Sequence, residues 1–275
     1  MKVYISADLE GIAGVVDRSQ LGGEGENYRR ACWLMTGEVD AAARGAFDGG
    51  AGEVLVNDSH GPMTNIYIEE LHEDVKLISG SPKDWSMMAG IFDSCDLAMF
   101  IGYHARQGVQ GTLSHTYSSA TVAELKLNGE VVGELGLSAY IAGYFNVPVG
   151  LVSGDDALCS EAKELLGERT KLVTVKKNLA HRAAESLTPA KAWRLIREQA
   201  AAAVREKAFP EPLALKIPVT MELTFQNRGM AEAAASLPEA ELTSGITVKF
   251  SHPDLKEVIA AMGVMVTMAQ EARQI

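Results

Sequence analysis

The feature that most narrows the fold is an alternation, sustained from the N-terminus to about residue 155, between short apolar runs and longer amphipathic ones. "VYISAD" (3–8), "EVLVNDSH" (53–60), "VKLIS" (75–79), "LAMFIGYHA" (97–105) and "VPVGLVSGDD" (147–156) read as buried strands. Between the first two, Tyr28, Cys32, Met35, Val39, Ala42 and Ala46 recur at alternating four- and three-residue steps, which makes one helical stripe over residues 26–48. "GGAGE" then stops that helix, because glycine accepts the left-handed conformation of a C-terminal cap. Strands that alternate with helices in this way predict an α/β fold, with a mostly parallel central sheet flanked by helices.

Other segments fill in the plan. Residues 69–74 suggest a short helix or turn, and "DWSMMAGIF" (84–92) reads as a helix with Asp84 as its cap. "ELKLNGEVVGE" predicts a hairpin turning at Asn128-Gly129, and "LGLSAYIAGYF" (135–145) predicts a helix. The texture then changes. "KLVTVKK" (171–177) is a plausible strand, and a strong helix follows with Thr188 as N-cap and Pro189 in its first turn. "FPEPL" breaks it, and two further apolar runs, a short helix near 229–236 and a last helix from Pro253 complete the chain. The expected organisation is a metal-binding catalytic α/β domain over 1–168 and a second, smaller α+β C-terminal domain, or an appended layer, over 169–275. The tail holds few candidate catalytic residues.

Charge and cysteine content exclude some functions. A net charge of −11 with no basic stripe argues against nucleic acid as a partner. Cys32, Cys95 and Cys159 are far apart and odd in number, so they form neither a disulfide framework nor a CxxC metal pair, which suits a reducing compartment. The N-terminus meets an acid at Asp8 and lacks the apolar core of a signal peptide. "EVIAAMGVMVTMA" is too short to span a bilayer. These features predict a cytoplasmic protein with no membrane partner.

Three of the predicted strands end alike. Asp8 and Glu10, then Asp58 and His60, then His104 follow apolar runs. Ligands of open parallel sheets bind at the carboxyl ends of strands. If the first strand persists that far, Asp8 and Glu10, two apart, face the same space. Two adjacent carboxylates repel, and burying them is costly unless a positive partner sits with them. Carboxylates with imidazoles suit a divalent transition metal, zinc first and manganese or cobalt after it, and one carboxylate can bridge two ions. Taken singly, each residue also has a plainer use: a loop cap for the acids, turn chemistry for His60 in "NDSHG", and a core hydrogen bond to a carbonyl for His104.

The blocks "SADLEGIAG", "VLVNDSHG", "FIGYHA", "GTLSH" and "NGEVVGELGLSAYIAGYFNVPVGLVSGDD" resemble the bacterial zinc-dependent D-aminopeptidase family, whose founding member is encoded in a dipeptide-transport operon. The likeness covers nearly the whole chain in order and is densest over residues 1–160. It implies two Zn2+ per chain, bridged by Asp8, with Glu10 and His60 completing one site and His104 and Glu134 the other. Spacing alone assigns Glu134 only a favourable place at a helix start. The resemblance also implies a catalytic role for His115, as general acid, oxyanion donor or nucleophile. The implied reaction is hydrolysis of the N-terminal residue, a D-amino acid, from short peptides. The implied assembly is a ring-shaped homo-oligomer, decameric, that encloses its active sites.

Rival readings are another di-metal amide hydrolase, such as an L-aminopeptidase or deacetylase, and a non-catalytic peptide-binding protein linked to dipeptide transport. Among other polar residues, Asp58 could orient an imidazole or form a turn. Arg106 could meet a substrate carboxylate or a surface acid. Asp155 and Asp156 could receive a substrate ammonium, or cap the helix that follows. Ser114 next to His115 makes a poor Ser–His pair, since neighbours on an extended segment point apart.

Overall fold

The computed structural model describes residues 1–92 and 94–273. In chain order the elements are β1 (Lys2–Ala7), α1 (Glu26–Asp48), β2 (Glu53–Asp58), β3 (Val75–Ile78), β4 (Leu97–Ile101), β5 (Val122–Leu127), β6 (Glu130–Val131), α2 (Glu134–Tyr144) and β7 (Val149–Asp155). They continue with α3 (Asp156–Leu166), β8 (Lys171–Ala180), β9 (Ala183–Ser186), α4 (Pro189–Glu206), β10 (Val219–Phe225), α5 (Arg228–Ala234), β11 (Glu241–Leu242), β12 (Thr247–His252) and α6 (Leu255–Ala272).

Among the described residues the strands form two sheets. The larger has seven, in the order β3-β2-β1-β4-β7-β8-β9, parallel throughout except for the last pair. The smaller has five, β11-β12-β10-β5-β6, and is antiparallel. Side chains alternate faces along a strand, so β1 must be covered on both sides. Val3, Ile5 and Ala7 join a core with Val39 and Ala42 of α1 and Ile196 and Ala200 of α4. Tyr4 points the other way, into a core with Phe100, Leu135 of α2, Leu158 of α3, and Leu223 and Val248 of the second sheet. Each such side chain, fully buried, contributes roughly 1.5–3 kcal/mol. After β1 the chain winds outward through β2 and β3, then returns to the opposite side of β1 as β4. The order reverses between β1 and β4, and a crevice opens at such a switch point beyond the carboxyl ends of the strands.

Several expected elements are present within a residue or two. The stripe at 26–48 is α1, the run at 135–145 is α2, and Asn128 and Gly129, at φ of 50° and 87°, turn the β5–β6 hairpin. Thr188 stands at the N-cap of α4, but its side chain makes no capping hydrogen bond. The helix expected at 84–92 reduces to one tight turn over Ser86–Met88. Trp85 and Ser86 lie in the left-handed region, so a continuous α-helix cannot run through them. The turn instead presents the Met87 carbonyl to Ser6 Oγ, Asn57 Nδ2 and Ser59 Oγ, at 2.7, 2.7 and 2.9 Å, beneath the ends of β1 and β2. The division expected at residue 168 does not follow the sheets. β8 and β9 complete the larger sheet, while β5 and β6, inserted between β4 and β7, belong to the smaller. Strand periodicity marks a strand but not the sheet it joins.

Candidate metal centre

The cluster forms where the loops after β1, β2 and β4 meet the start of α2. Asp8, Glu10, His60, His104 and Glu134 are all buried, and His115, in the loop between β4 and β5, is partly open. β1 ends at Ala7, so Asp8 and Glu10 do not share a side through strand alternation as expected. A turn places them: Ile12 N donates to Leu9 O, and Gly11 N crosses to Gly102 O at 2.8 Å. A Cβ on Gly11 would sit 1.8 Å from Tyr103 O, so only glycine lets the β1 and β4 loops touch.

Each histidine has one ring nitrogen committed to a main-chain carbonyl. His60 Nε2 lies 2.8 Å from Leu21 O, His104 Nδ1 3.0 Å from Ala105 O, and His115 Nδ1 2.9 Å from Leu113 O. A carbonyl accepts only, so the proton is on that nitrogen and the other faces the acids as a lone pair when the ring is neutral. His60 Nδ1 is 3.2 Å from Asp8 Oδ1 and 2.8 Å from Glu10 Oε2. His104 Nε2 is 3.4 Å from Asp8 Oδ2 and 3.3 Å from Glu134 Oε1. His115 Nε2 is 3.9 and 3.8 Å from Glu10 Oε1 and Glu134 Oε1, and its ring stacks on His104 with centroids 4.2 Å apart.

These separations test whether a metal fits. Tetrahedral ligands about 2.0–2.1 Å from zinc stand about 3.3 Å from each other. Most of the close pairs match that spacing. Asp8 Oδ2, Glu10 Oε2 and His104 Nε2 are buried with no hydrogen-bond partner. Buried polar atoms left without partners are costly in a protein interior unless a cation satisfies them. Donor atoms of Asp8, Glu10 and His104, and those of His104, His115 and Glu134, fall within 4.8 Å of one another. The donor set is nitrogen and oxygen in carbonyl-fixed tautomers, as expected for transition-metal ligands. The residues fit the group.

The metal-free electrostatics agree. Burial and the charge of Glu10 push the Asp8 carboxyl up to about 7. Burial also disfavours charge on Glu10, but His60, then His115 and His104, outweigh it and hold Glu10 well below the carboxylate range. Burial opposes protonation of His104, yet Glu134, Asp8 and Glu10 raise it to about 10, and the acids likewise raise His60. Three carboxylates in a dry site draw in positive charge, as protons when no metal is bound.

Other candidates lie outside the cluster. Asp58 accepts from Asn65 N, Asn65 Nδ2 and Ile66 N, so it forms a turn and does not orient His60. Asp155 caps α3 through Leu158 N and also takes Thr112 N, while Asp156 takes Asn178 N, so both serve local structure outside the cluster. The Arg106 guanidinium turns back to the Gln107 carbonyl. Ser114 Oγ bonds to Val109 O, away from His115. Leu113 and Tyr117, both at φ 56°, bracket His115 in left-handed conformations, a form of backbone strain that collects at functional sites.

Sequence reasoning passed over two buried charges under the Glu10 loop. Glu38 lies on the apolar stripe of α1, a detectable anomaly, and its Oε1 accepts from Ala13 N at 2.8 Å. Lys176 sits in a strand where alternation after Val173 and Val175 points it to solvent, yet it is buried. A bulge opposite Gly154–Asp155 lets Val175 and Lys176 both turn inward.

A mixed α/β protein with a carboxylate–imidazole centre at its switch point belongs to the class of metal-centred α/β hydrolases. Within that class the chain is a member of the Peptidase_M55 D-aminopeptidase family, whose model matches residues 1–264. It is 41% identical to a D-aminopeptidase of Bacillus subtilis (strain 168) over 270 residues, covering 98% of each chain. Its fold matches a solved structure, the Zn-dependent D-aminopeptidase DppA from Bacillus subtilis, a self-compartmentalizing protease, with a TM-score of 0.95 at 40% identity over 98% of each chain. Family, fold class and hydrolase activity agree with the resemblance read in the sequence.

Proposed function

We propose that this chain is a metallo-aminopeptidase that removes the N-terminal residue, a D-amino acid, from short peptides at a centre of two zinc ions. The carrying observation is the convergence of donor atoms of Asp8, Glu10 and His104 within 4.8 Å of one another, with Asp8 Oδ2 and His104 Nε2 buried and without hydrogen-bond partners. The family and the zinc dependence of the matched structure support zinc as the metal and a D-residue as the substrate. Asp8 presents Oδ1 towards His60 and Oδ2 towards His104, the arrangement of a bridging carboxylate. Glu10 and His60 would complete the hold on one ion, and His104 and Glu134 on the other.

When bound, the two ions supply Lewis acidity for the scissile carbonyl and water ionised near neutral pH. The chain does the rest. Glu134 Oε1 accepts Tyr117 N at 2.7 Å, which fixes the carboxylate against the His115 loop. His115, with Nδ1–H held by Leu113 O, presents the Nε2 lone pair at the open side of the cluster, where it would take up the proton released by the attacking water and deliver it to the leaving amine, returning to the neutral ring. The matched structure's self-compartmentalizing character supports a homo-oligomer here too, a ring-shaped decamer that admits short peptides. No helix among the described residues is long and apolar enough to cross a membrane, and Cys32, Cys95 and Cys159 are free and buried, which supports a cytoplasmic enzyme.

Metal analysis with matched D-Ala and L-Ala anilides tests the reading. Two zinc ions per chain, loss of turnover on chelation, recovery with zinc and preference for the D form are expected. Well under one zinc per chain, or turnover that survives chelation, would overturn the metal centre. Preference for the L form would leave the rival aminopeptidase.

A further inference from the structure

The Glu10 loop is gripped from below by two buried side chains from distant parts of the chain. Lys176 Nζ, from β8, donates to the main-chain carbonyls of Glu10, Ile12 at 3.2 Å and Val15 at 2.6 Å. An ammonium has three N–H bonds, and here all three end on one loop. Glu38, from α1, takes Ala13 N from the same loop at 2.8 Å. Both side chains are buried, at 2% and 1% exposure. The loop thus gives its carbonyls to a cation and an N–H to an anion, and no regular strand or helix pairing holds residues 10–15.

Burying an ammonium costs several kcal/mol even after relaxation. A loop needing only fold stability could be held by apolar packing at lower cost, so the cation is retained for what it fixes. The first carbonyl it holds belongs to Glu10 itself. Glu10 lies within the Leu9–Ile12 turn, so its carboxylate direction is set by main-chain torsions that Lys176 helps to hold from the carbonyl side. Asp8, two residues earlier, is independently tied to β4 by its N–H on Ile101 O at 2.8 Å. His104 and Glu134 arise from other elements that Lys176 does not touch.

We propose that Lys176, assisted by Glu38, is a positioning residue that aims Glu10 at its metal, so that β8 serves the metal centre from outside the ligand set. This rests on the two-metal reading, with Glu10 and His60 on one ion and His104 and Glu134 on the other. It follows that loss of Lys176 weakens one of the two sites selectively. Partners that orient ligands are worth about 10–100-fold in metal affinity.

Cobalt(II) titration of the metal-free full-length protein, followed by visible absorption, reads the two sites as two increments. Wild-type protein is expected to take up two cobalt ions. Lys176→Met, similar in length but without donors, is expected to lose at least ten-fold in affinity for one ion and keep the other unchanged. Glu38→Gln keeps an acceptor for Ala13 N and is expected to weaken the same ion by a smaller factor. Circular dichroism reports folding. If the methionine variant does not fold, Lys176→Arg carries the test: its planar fork cannot seat three N–H bonds on the carbonyls of residues 10, 12 and 15, so the same ion is weakened. Two ions bound by a folded variant with wild-type affinity, or both ions weakened equally, would overturn the positioning role. Failure of wild-type protein to bind two ions would instead remove the two-metal reading, so the two failures are distinguishable.

Discussion

His115 has one ring nitrogen tied to Leu113 O and the other standing 3.8–3.9 Å from Glu134 and Glu10, farther than any of the five proposed ligands stands from its neighbour. We take that longer distance as the mark of a proton carrier, although a donor atom of His115 also falls within 4.8 Å of those of His104 and Glu134. His115→Ala should therefore keep both zinc ions by atomic absorption while turnover of a D-Ala anilide drops by about 10²–10⁴-fold. Loss of zinc in that variant would make His115 a ligand. The ring nitrogens of His60 and His104 behave differently, because in the metal-free chain they hold protons. His104 is raised to about 10 by Glu134, Asp8 and Glu10 against the opposing effect of burial, and His60 is raised likewise. Unfolded imidazoles release their protons near pH 6.5. Above that pH the folded chain keeps protons that the unfolded chain has lost, so folding is favoured less as pH rises. Metal-free stability should fall by about 2 kcal/mol between about pH 6.5 and 8. The window closes there because burial lowers Lys176 to about 8, and a lysine depressed in the folded state adds stability as pH rises further. Zinc replaces the ring protons, so the loaded protein should lack this slope. Urea unfolding of both forms at the two pH values checks it, and a flat metal-free curve would contradict the protonated cluster.

At the level of elements, the centre depends on two loops approaching backbone to backbone. Gly11 N reaches Gly102 O at 2.8 Å, and an added Cβ at Gly11 would fall on Tyr103 O. Gly11→Ala should cost about 1–3 kcal/mol through overpacking and, by parting Asp8 from His104, should lower zinc content. Gly22→Ala, at a position with open space, is the control and should do neither. Calorimetry and metal analysis read both, and full zinc occupancy in the Gly11 variant would show that the loops can shift without loss. The same loops explain what was legible in sequence. α1, α2 and the Asn128-Gly129 hairpin were readable because periodicity and turn chemistry are local. His60 and His104 were readable because strand ends collect ligands in a parallel sheet. Glu134 needed the family resemblance, since an acid at a helix start has a sufficient local reason to be there. The turn at 84–92 was misread because two left-handed residues, Trp85 and Ser86, are invisible to apolar spacing. Lys176 was invisible because a bulge, which is a property of the β7–β8 pair, reverses its face.

At the level of the molecule, the proposed ligands and His115 converge from the loops after β1, β2 and β4 of the larger sheet and from the start of α2, which follows β6 of the smaller sheet. On the proposed function, that set makes a complete centre within each chain. An enclosing homo-oligomer would therefore act on access alone, a separation of roles that can be measured. Sedimentation of the zinc-loaded protein should give a mass many times that of the 29.4 kDa chain. Turnover per chain of a small D-Ala anilide should be the same in the assembly and in subunits dispersed by dilution or mild urea, because the centre is complete in each. The kcat/KM for a long peptide with the same N-terminal residue should be low in the assembly and rise on dispersal, since the barrier is the wall and not the metal. A centre that loses zinc on dispersal would show that contacts between subunits hold its loops in place. Long peptides cleaved as readily as short ones by the intact assembly would show that no enclosure limits entry.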